Sequence, residues 1–157
     1  MTSKIVEYKK ASLLDIKAME TLVQPEVDSG VILMRSSDEI ATNIRSYMLA
    51  FYKEKLVGFV ALHLHTIVLA EVRSLVIDSS FRGKSIGSEL VKHCIGEAKK
   101  LGIKEVLSLT YEKLFFERLG FNEIAKESLP EHKIWADCIK CKHFPICNEV
   151  SLIKIIS

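Results

Sequence analysis

The stretch that most constrains this chain runs from Glu71 to Leu90, EVRSLVIDSSFRGKSIGSEL. An apolar run, Leu75-Val76-Ile77, stops at Asp78-Ser79-Ser80. A short basic turn holding Arg82, Gly83, Lys84 and Gly87 follows, and an amphipathic helix starts inside it. A strand that feeds such a turn and then a helix makes an anion cradle. The first N–H groups of a helix lack partners within it, and the helix dipole favours negative charge at that end. Glycine lets main chain approach a phosphate closely, and Arg82 and Lys84 add positive charge at the same place. The plainer alternative is an ordinary β-to-α turn with exposed basic residues.

The rest of the chain has the means to build a scaffold around that turn. Its 157 residues, 48% apolar and 27% charged, predict one soluble domain over residues 1–157 with a sizeable core. A formal charge of +2 does not point to nucleic acid. No apolar run is long enough to span a bilayer, and MTSKIVEYKK carries no apolar export segment. These features predict a cytoplasmic protein with small-molecule ligands and without nucleic-acid or membrane partners; a homodimer is left open. Four cysteines in such a chain predict reduced thiols or a metal site rather than a disulfide framework.

Periodicity predicts the elements in order. Ile5 to Tyr8 reads as an edge strand. Ser12 caps a helix whose apolar face is Ile16, Met19, Leu22 and Val23, ending before Pro25. Residues 25–35 read as loop, and Ser36 to Glu39 caps a brief helix with Ile40 and Ile44. Tyr47 to Tyr52 and Leu56 to Leu64 form a hairpin around Lys53-Glu54-Lys55, and Ile67 to Ile77 is a third strand. The helix after the basic turn carries Ile86, Leu90, Val91, Cys94, Ala98 and Leu101 at helical spacing and is capped by Gly102. Glu105 to Leu109, Phe121 to Ala125 and Val150 to Ile156 read as strands, and Glu112 to Leu119 as a short helix. This order predicts an α/β (α+β) layer structure with a mixed, largely antiparallel sheet flanked by helices.

Gly83-Lys84-Ser85 matches the end of a P-loop, but the first glycine of that motif would fall at Asp78, and no glycine triplet fits the dinucleotide fingerprint. Arg82-Gly83-Lys84-Ser85-Ile86-Gly87 instead resembles the acetyl-CoA loop of the GNAT acetyltransferase superfamily, with Ser85 where the first glycine is usual. Phe115-Phe116-Glu117-Arg118-Leu119-Gly120-Phe121 is similar to the aromatic pair and Leu-Gly-Phe ending of that superfamily. Within it, three segments resemble the acetyltransferase domain of N-acetylglutamate synthases: Leu33-Met34-Arg35-Ser36 with Glu39-Ile40, then Ala61-Leu62-His63 with Glu71-Val72-Arg73, and a tail reading Lys133-Ile134-Trp135-Ala136-Asp137-Cys138. Nothing in the sequence corresponds to the amino-acid-kinase-like domain of the larger synthases.

The resemblance implies a GNAT-type fold and transfer of acetyl from acetyl-CoA to the α-amine of glutamate, a step of arginine biosynthesis. It implies coenzyme contacts from Leu75, Val76 and Ile77, from Arg82, Gly83, Lys84, Ser85, Ile86, Gly87 and Ser88, and from Phe116 and Arg118. An amine attacking a thioester must lose a proton, and Glu71 on the central strand is the candidate base; pairing with Arg73 is the structural alternative. The leaving thiolate needs a proton, for which Tyr111 is the nearest phenol, unless it is only packed there. Arg35, Arg73 and Lys133 are candidate partners for a dicarboxylic acceptor, since guanidinium offers carboxylate a planar fork. Acceptors other than glutamate, another amino acid or a protein N-terminus, stay open.

Cys138, Cys141 and Cys147, with His132 and His143 nearby, offer a weak zinc signature one ligand short of a structural site. The preferred reading is a reduced, partly buried cluster, with no metal. A metal-binding interaction module built on this tail is the alternative from outside enzymology.

Overall fold

A computed structural model describes residues 5–125, Ser128 and 149–156. Seven strands form one sheet in the order β1-β2-β3-β4-β5-β7-β6. They are β1 (Glu7–Lys10), β2 (Tyr47–Tyr52), β3 (Lys55–Leu64), β4 (Leu69–Ile77), β5 (Glu105–Thr110), β6 (Asn122–Ile124) and β7 (Val150–Ile155). The helices are α1 (Ile16–Asp28), α2 (Ser37–Thr42), α3 (Ile86–Leu101) and α4 (Lys113–Arg118). Among these strands β4 and β5 run parallel, joined by a crossover through helix α3. Every other neighbouring pair is antiparallel. The α/β class with a largely antiparallel sheet is as the periodicity predicts.

Two cores clamp the sheet. On one face Leu90, Val91, Cys94 and Ala98 of α3 bury themselves against Val57, Val60, Val72 and Val106. On the other face Met19 of α1 packs with Leu49, Phe59 and Val76. Strand β3 lies in the middle and is buried along nearly its whole length, as a strand covered by helices on both faces must be. Cys94 belongs to this core, and burial pushes its thiol up to about 12, so it stays protonated and unreactive.

Several boundaries differ from the periodicity. Strand β1 begins at Glu7 rather than Ile5. Helix α1 does not stop before Pro25 but carries it and ends at Asp28. That last turn is held by Ser29 N–H to the Pro25 carbonyl, by Gln24 to Asp28, and by an ion pair from Glu26 to Arg82. Tertiary contact here outweighs the missing proline N–H. Strand β4 begins at Leu69, since Ile67 stands 91% exposed in the preceding turn.

The β2–β3 turn is shorter than the sequence suggests. Tyr52 pairs with Lys55, leaving only Lys53 and Glu54 as the loop. Both have positive φ, 48° and 65°, as the tight two-residue turns that suit the twist of a hairpin require. Neither residue is at ease there. Replacing Lys53 and Glu54 together with Asn and Gly should raise stability by about 1 kcal/mol. That corresponds to a rise of roughly 3 °C in the thermal midpoint, read by calorimetry against the wild-type chain.

Candidate active site

The site begins where a parallel pair comes apart. The β4–β5 ladder runs from Leu69↔Glu105 to Val72↔Ser108 and ends. Next along β4, Ser74 takes a left-handed conformation, φ 60°. Opposite it the β3 register skips, from Ala61↔Arg73 to Phe59↔Val76, so β4 carries one residue more than β3 at that point. Such a bulge bends its strand and re-aims its side chains. Past the bulge β4 stays with β3, with Ile77 opposite Gly58, while β5 diverges from it. Glycine at position 58 leaves room for this close approach, since a Cβ would stand 2.8 Å from Ile77 Cδ1 and 3.1 Å from the Val76 carbonyl.

A cavity of about 1110 Å³ fills the gap. Glu71 to Ile77 form one wall and Ser108 to Glu112, with Phe115 and Phe116, the other. The loop from Ser29 to Met34 forms a rim, and the turn into α3 closes one end.

That turn is locally over-determined. Asp78 Oδ1 accepts from Ser80 N–H at 2.9 Å and from Ser80 Oγ at 2.6 Å, and Asp78 N–H donates to the Val57 carbonyl at 2.8 Å. Lys55 lies 3.6 Å from the Asp78 carboxylate. The two hydrogen bonds from Ser80, and more weakly Lys55, hold Asp78 below its ordinary value of 3.8. Gly83 and Ser85 both take positive φ, 76° and 65°. Helix α3 then begins at Ile86, and no side chain caps it. The N–H groups of its first turn lie where Ile86, Gly87 and Ser88 line the cavity, a ready acceptor site for an anion.

The basic residues divide. Arg82 lines the cavity, but its guanidinium donates to Glu26 Oε1 at 2.8 Å and so ties the turn to α1. Lys84 and Arg118 are exposed and stand outside the lining. For Arg118 the helix explains this: α4 turns Phe115 and Phe116 inward, and a residue two places past Phe116 falls on the far side. Leu75, Val76, Ile77, Gly83, Ser85 and Phe116 all line the cavity. Lys133, Cys138, Cys141 and Cys147 lie outside the described residues. Among the described residues no cluster of His, Cys, Asp and Glu could hold a metal ion, and no helix is long and apolar enough to cross a membrane.

Away from the turn into α3, where β4 is still paired, the cavity is lined by Glu71 and Arg73, with Arg35, Glu39 and Tyr111 also in its wall. Glu71 is 2% exposed, and a carboxylate so deeply buried requires a partner. Its Oε1 stands 2.8 Å from His65 Nε2, while Arg73 Nη2 donates to His63 Nδ1 at 3.0 Å. Arg35 lies 3.8 Å from Glu39, one helical turn on. Tyr47 links the two arginines: burial, with a smaller push from Glu39, raises its phenol, while Arg35 and Arg73 both pull it down. The histidines are the residues that sequence reasoning missed. Their signal was present, His63-x-His65 facing Glu71-x-Arg73 across a turn at the period of a strand.

A mixed sheet split beside its one parallel pair, with the crossover helix starting at the gap, defines an acetyltransferase class of fold. Comparison with known proteins carries this to a family. The sequence profile described as "Acetyltransferase (GNAT) family" matches residues 16–121. The chain is 36% identical over 148 residues to an uncharacterized N-acetyltransferase of Chlorobaculum tepidum, covering 94% of this chain and 95% of that protein. The chain belongs to the GNAT acetyltransferase family. It is also 27% identical over 135 residues to an amino-acid acetyltransferase of Shewanella oneidensis, covering 85% of this chain and 30% of that one. Among solved structures, N-acetylglutamate synthase from Neisseria gonorrhoeae, complexed with coenzyme A and N-acetyl-glutamate, matches with a TM-score of 0.87 at 21% identity. That match spans 99% of this chain and 36% of the synthase chain, and shows likeness of fold.

The Asp78 turn gives a pH-dependent test. Because its folded value is depressed, its contribution to stability is complete above 3.8 and is lost as the pH falls through the lowered value. Asp78→Ala should cost about 1 kcal/mol at neutral pH. Denaturant titrations should show the gap from wild type narrowing as the pH is taken below 3.8.

Proposed function

We propose that the chain transfers acetyl from acetyl-CoA to the α-amine of L-glutamate, in the cytoplasm, as a step toward arginine. The carrying observation is that Glu71 and Arg73, two residues apart on β4, line one end of the cavity while the uncapped start of α3 forms the other. The pyrophosphate of the coenzyme takes the N–H groups at Ile86, Gly87 and Ser88. The pantetheine arm follows Leu75 to Ile77, where β4 has left β5, and brings the thioester to the split. Ser85, held at positive φ without a capping bond of its own, presents its hydroxyl at the same end.

The acceptor amine enters protonated and passes one proton to Glu71, directly or through water. Its nitrogen attacks the acetyl carbonyl carbon; as the amide bond forms and the carbon–sulfur bond breaks, the nitrogen passes its second proton to water, and Glu71 releases its own to solvent once the product has left. Tyr111, which lines the cavity beside the split, donates its proton to the departing thiolate and is re-protonated from solvent. Arg35 and Arg73 receive the two carboxylates of glutamate, Lys133 being a further candidate cation. Holding both reactants in line supplies much of the acceleration.

The Neisseria synthase, similar in fold and complexed with coenzyme A and N-acetyl-glutamate, supports the glutamate reading, and the name of the Shewanella protein supports an amino-acid acceptor. One observation favours a different acceptor: Val31 and Met34 on the rim are exposed, an apolar lip that suits a larger amine such as an apolar amino acid or a protein N-terminus.

Coenzyme release measured across an amino-acid panel decides between them, with glutamate expected first. Arg73→Ala should raise the KM for glutamate roughly 10- to 100-fold, the worth of a charge-assisted hydrogen bond, and leave the KM for acetyl-CoA nearly unchanged. Equal rises in both would remove Arg73 from the acceptor pocket. No calorimetric heat on adding acetyl-CoA would end the acyl-transfer reading altogether.

A further inference from the structure

Two imidazoles, His63 near the end of β3 and His65 just past it, take no part in the chemistry above. Neither His63 nor His65 lines the cavity. Two residues apart, one inside β3 and one immediately after it, they reach the face that Glu71 and Arg73 share on β4. The antiparallel register sets His63 opposite Glu71 and Ala61 opposite Arg73. Each histidine then reaches one step diagonally. His63 Nδ1 receives the Arg73 guanidinium at 3.0 Å, and His65 Nε2 meets Glu71 Oε1 at 2.8 Å. The two rings pack edge to face, 4.7 Å between centroids.

The chemistry of each contact is determined by its partner. A guanidinium has donors only, so Nδ1 of His63 must offer its lone pair, which makes that imidazole neutral with its proton on Nε2. For an ionised Glu71 the reverse holds, and His65 presents an Nε2–H. Both members of the latter pair are withdrawn from water, with side-chain exposures of 4% for His65 and 2% for Glu71, where an unpartnered carboxylate would be costly. The contact also fixes one carboxylate oxygen and stops the group turning about its last bond.

We propose that His65 is a positioning residue for Glu71, and His63 for Arg73, so that the end of β3 and the residue after it set the orientation of both reactive side chains on β4. This deepens the acyl-transfer reading and rests on it for its kinetic consequences.

The full chain with His65→Leu should lose roughly 100-fold in kcat, the scale of a misplaced reactive group, with the acetyl-CoA KM within about twofold of wild type. His65→Gln, whose amide N–H reaches to about the place of Nε2, should return kcat to within about fivefold. His63→Leu should leave kcat nearly unchanged and raise the glutamate KM by about 10-fold. The proposal is overturned if His65→Leu keeps kcat within about threefold, or if the leucine and glutamine variants lose the same amount. Should the wild-type chain turn over no amine, it is the acyl-transfer reading that fails, and the ladder is judged by nuclear magnetic resonance. A slowly exchanging His65 Nε2–H signal that disappears in Glu71→Ala then upholds it, and absence of that signal from the wild-type chain refutes it.

Discussion

Everything about this site follows from one ladder that stops early. Strands β4 and β5 are hydrogen-bonded as far as Val72↔Ser108 and no further. Separating paired strands leaves main-chain groups without partners, which is costly unless water or a ligand meets them. Here the separation is enforced from both sides. The bulge at Ser74 keeps β4 with β3, and the two cores clamp β3 and β4 between α3 and α1. The β5 wall follows its own partner, β7, through Thr110↔Val150. Each strand is thus satisfied on its outer side, and the gap between them is what remains. An extended ligand with amide groups of its own is the natural occupant of such a gap.

The same geometry sorts charge along the cavity. At the α3 end the field is positive through main-chain N–H groups, which cannot be titrated away. At the Glu71 end it comes from side chains in a dry setting, where each must be matched. Tyr47 shows how close that matching is, since burial and Glu39 push its phenol up while Arg35 and Arg73 pull it down. Arg82, by contrast, is spent on Glu26. That pair holds the last turn of α1 against the cradle, where α1 runs through Pro25 although local preference would end it.

What could be read from the residues follows the range over which each signal acts. Helix α3, its Gly102 cap and the basic turn are local patterns, and they lie where periodicity puts them. The hairpin was legible, but its turn length was not, because Lys53 and Glu54 carry no sign of the positive φ that the twist of β2 and β3 imposes. The bulge at Ser74 was invisible for the same reason, being set by the register of β3 rather than by any residue of β4. Glu71 and Arg73 stood out as charges in an apolar strand, with Glu71 read as a base or as a partner of Arg73. Their contacts with His65 and His63 emerge only once the end of β3 is laid beside β4. Sequence spacing identifies which side chains are unusual; cross-strand register decides what they touch.

Strain is placed with the same economy. Outside the hairpin tip, the non-glycine residues held at positive φ are Ser74 and Ser85, and both line the cavity. An L-residue in that region gives up roughly 1 to 2 kcal/mol, so two of them amount to a sizeable fraction of what a domain of this size has to spare. Serine is the least encumbered choice after glycine that still carries a hydroxyl. At Ser74 the strain turns β4 away from β5; at Ser85 it turns the chain into α3 with its first N–H groups uncovered. Relaxing either residue to an ordinary conformation would close the gap or cap the helix. The strained backbone and the open site are therefore one feature, held in place by the packing of α3 and α1 on the sheet.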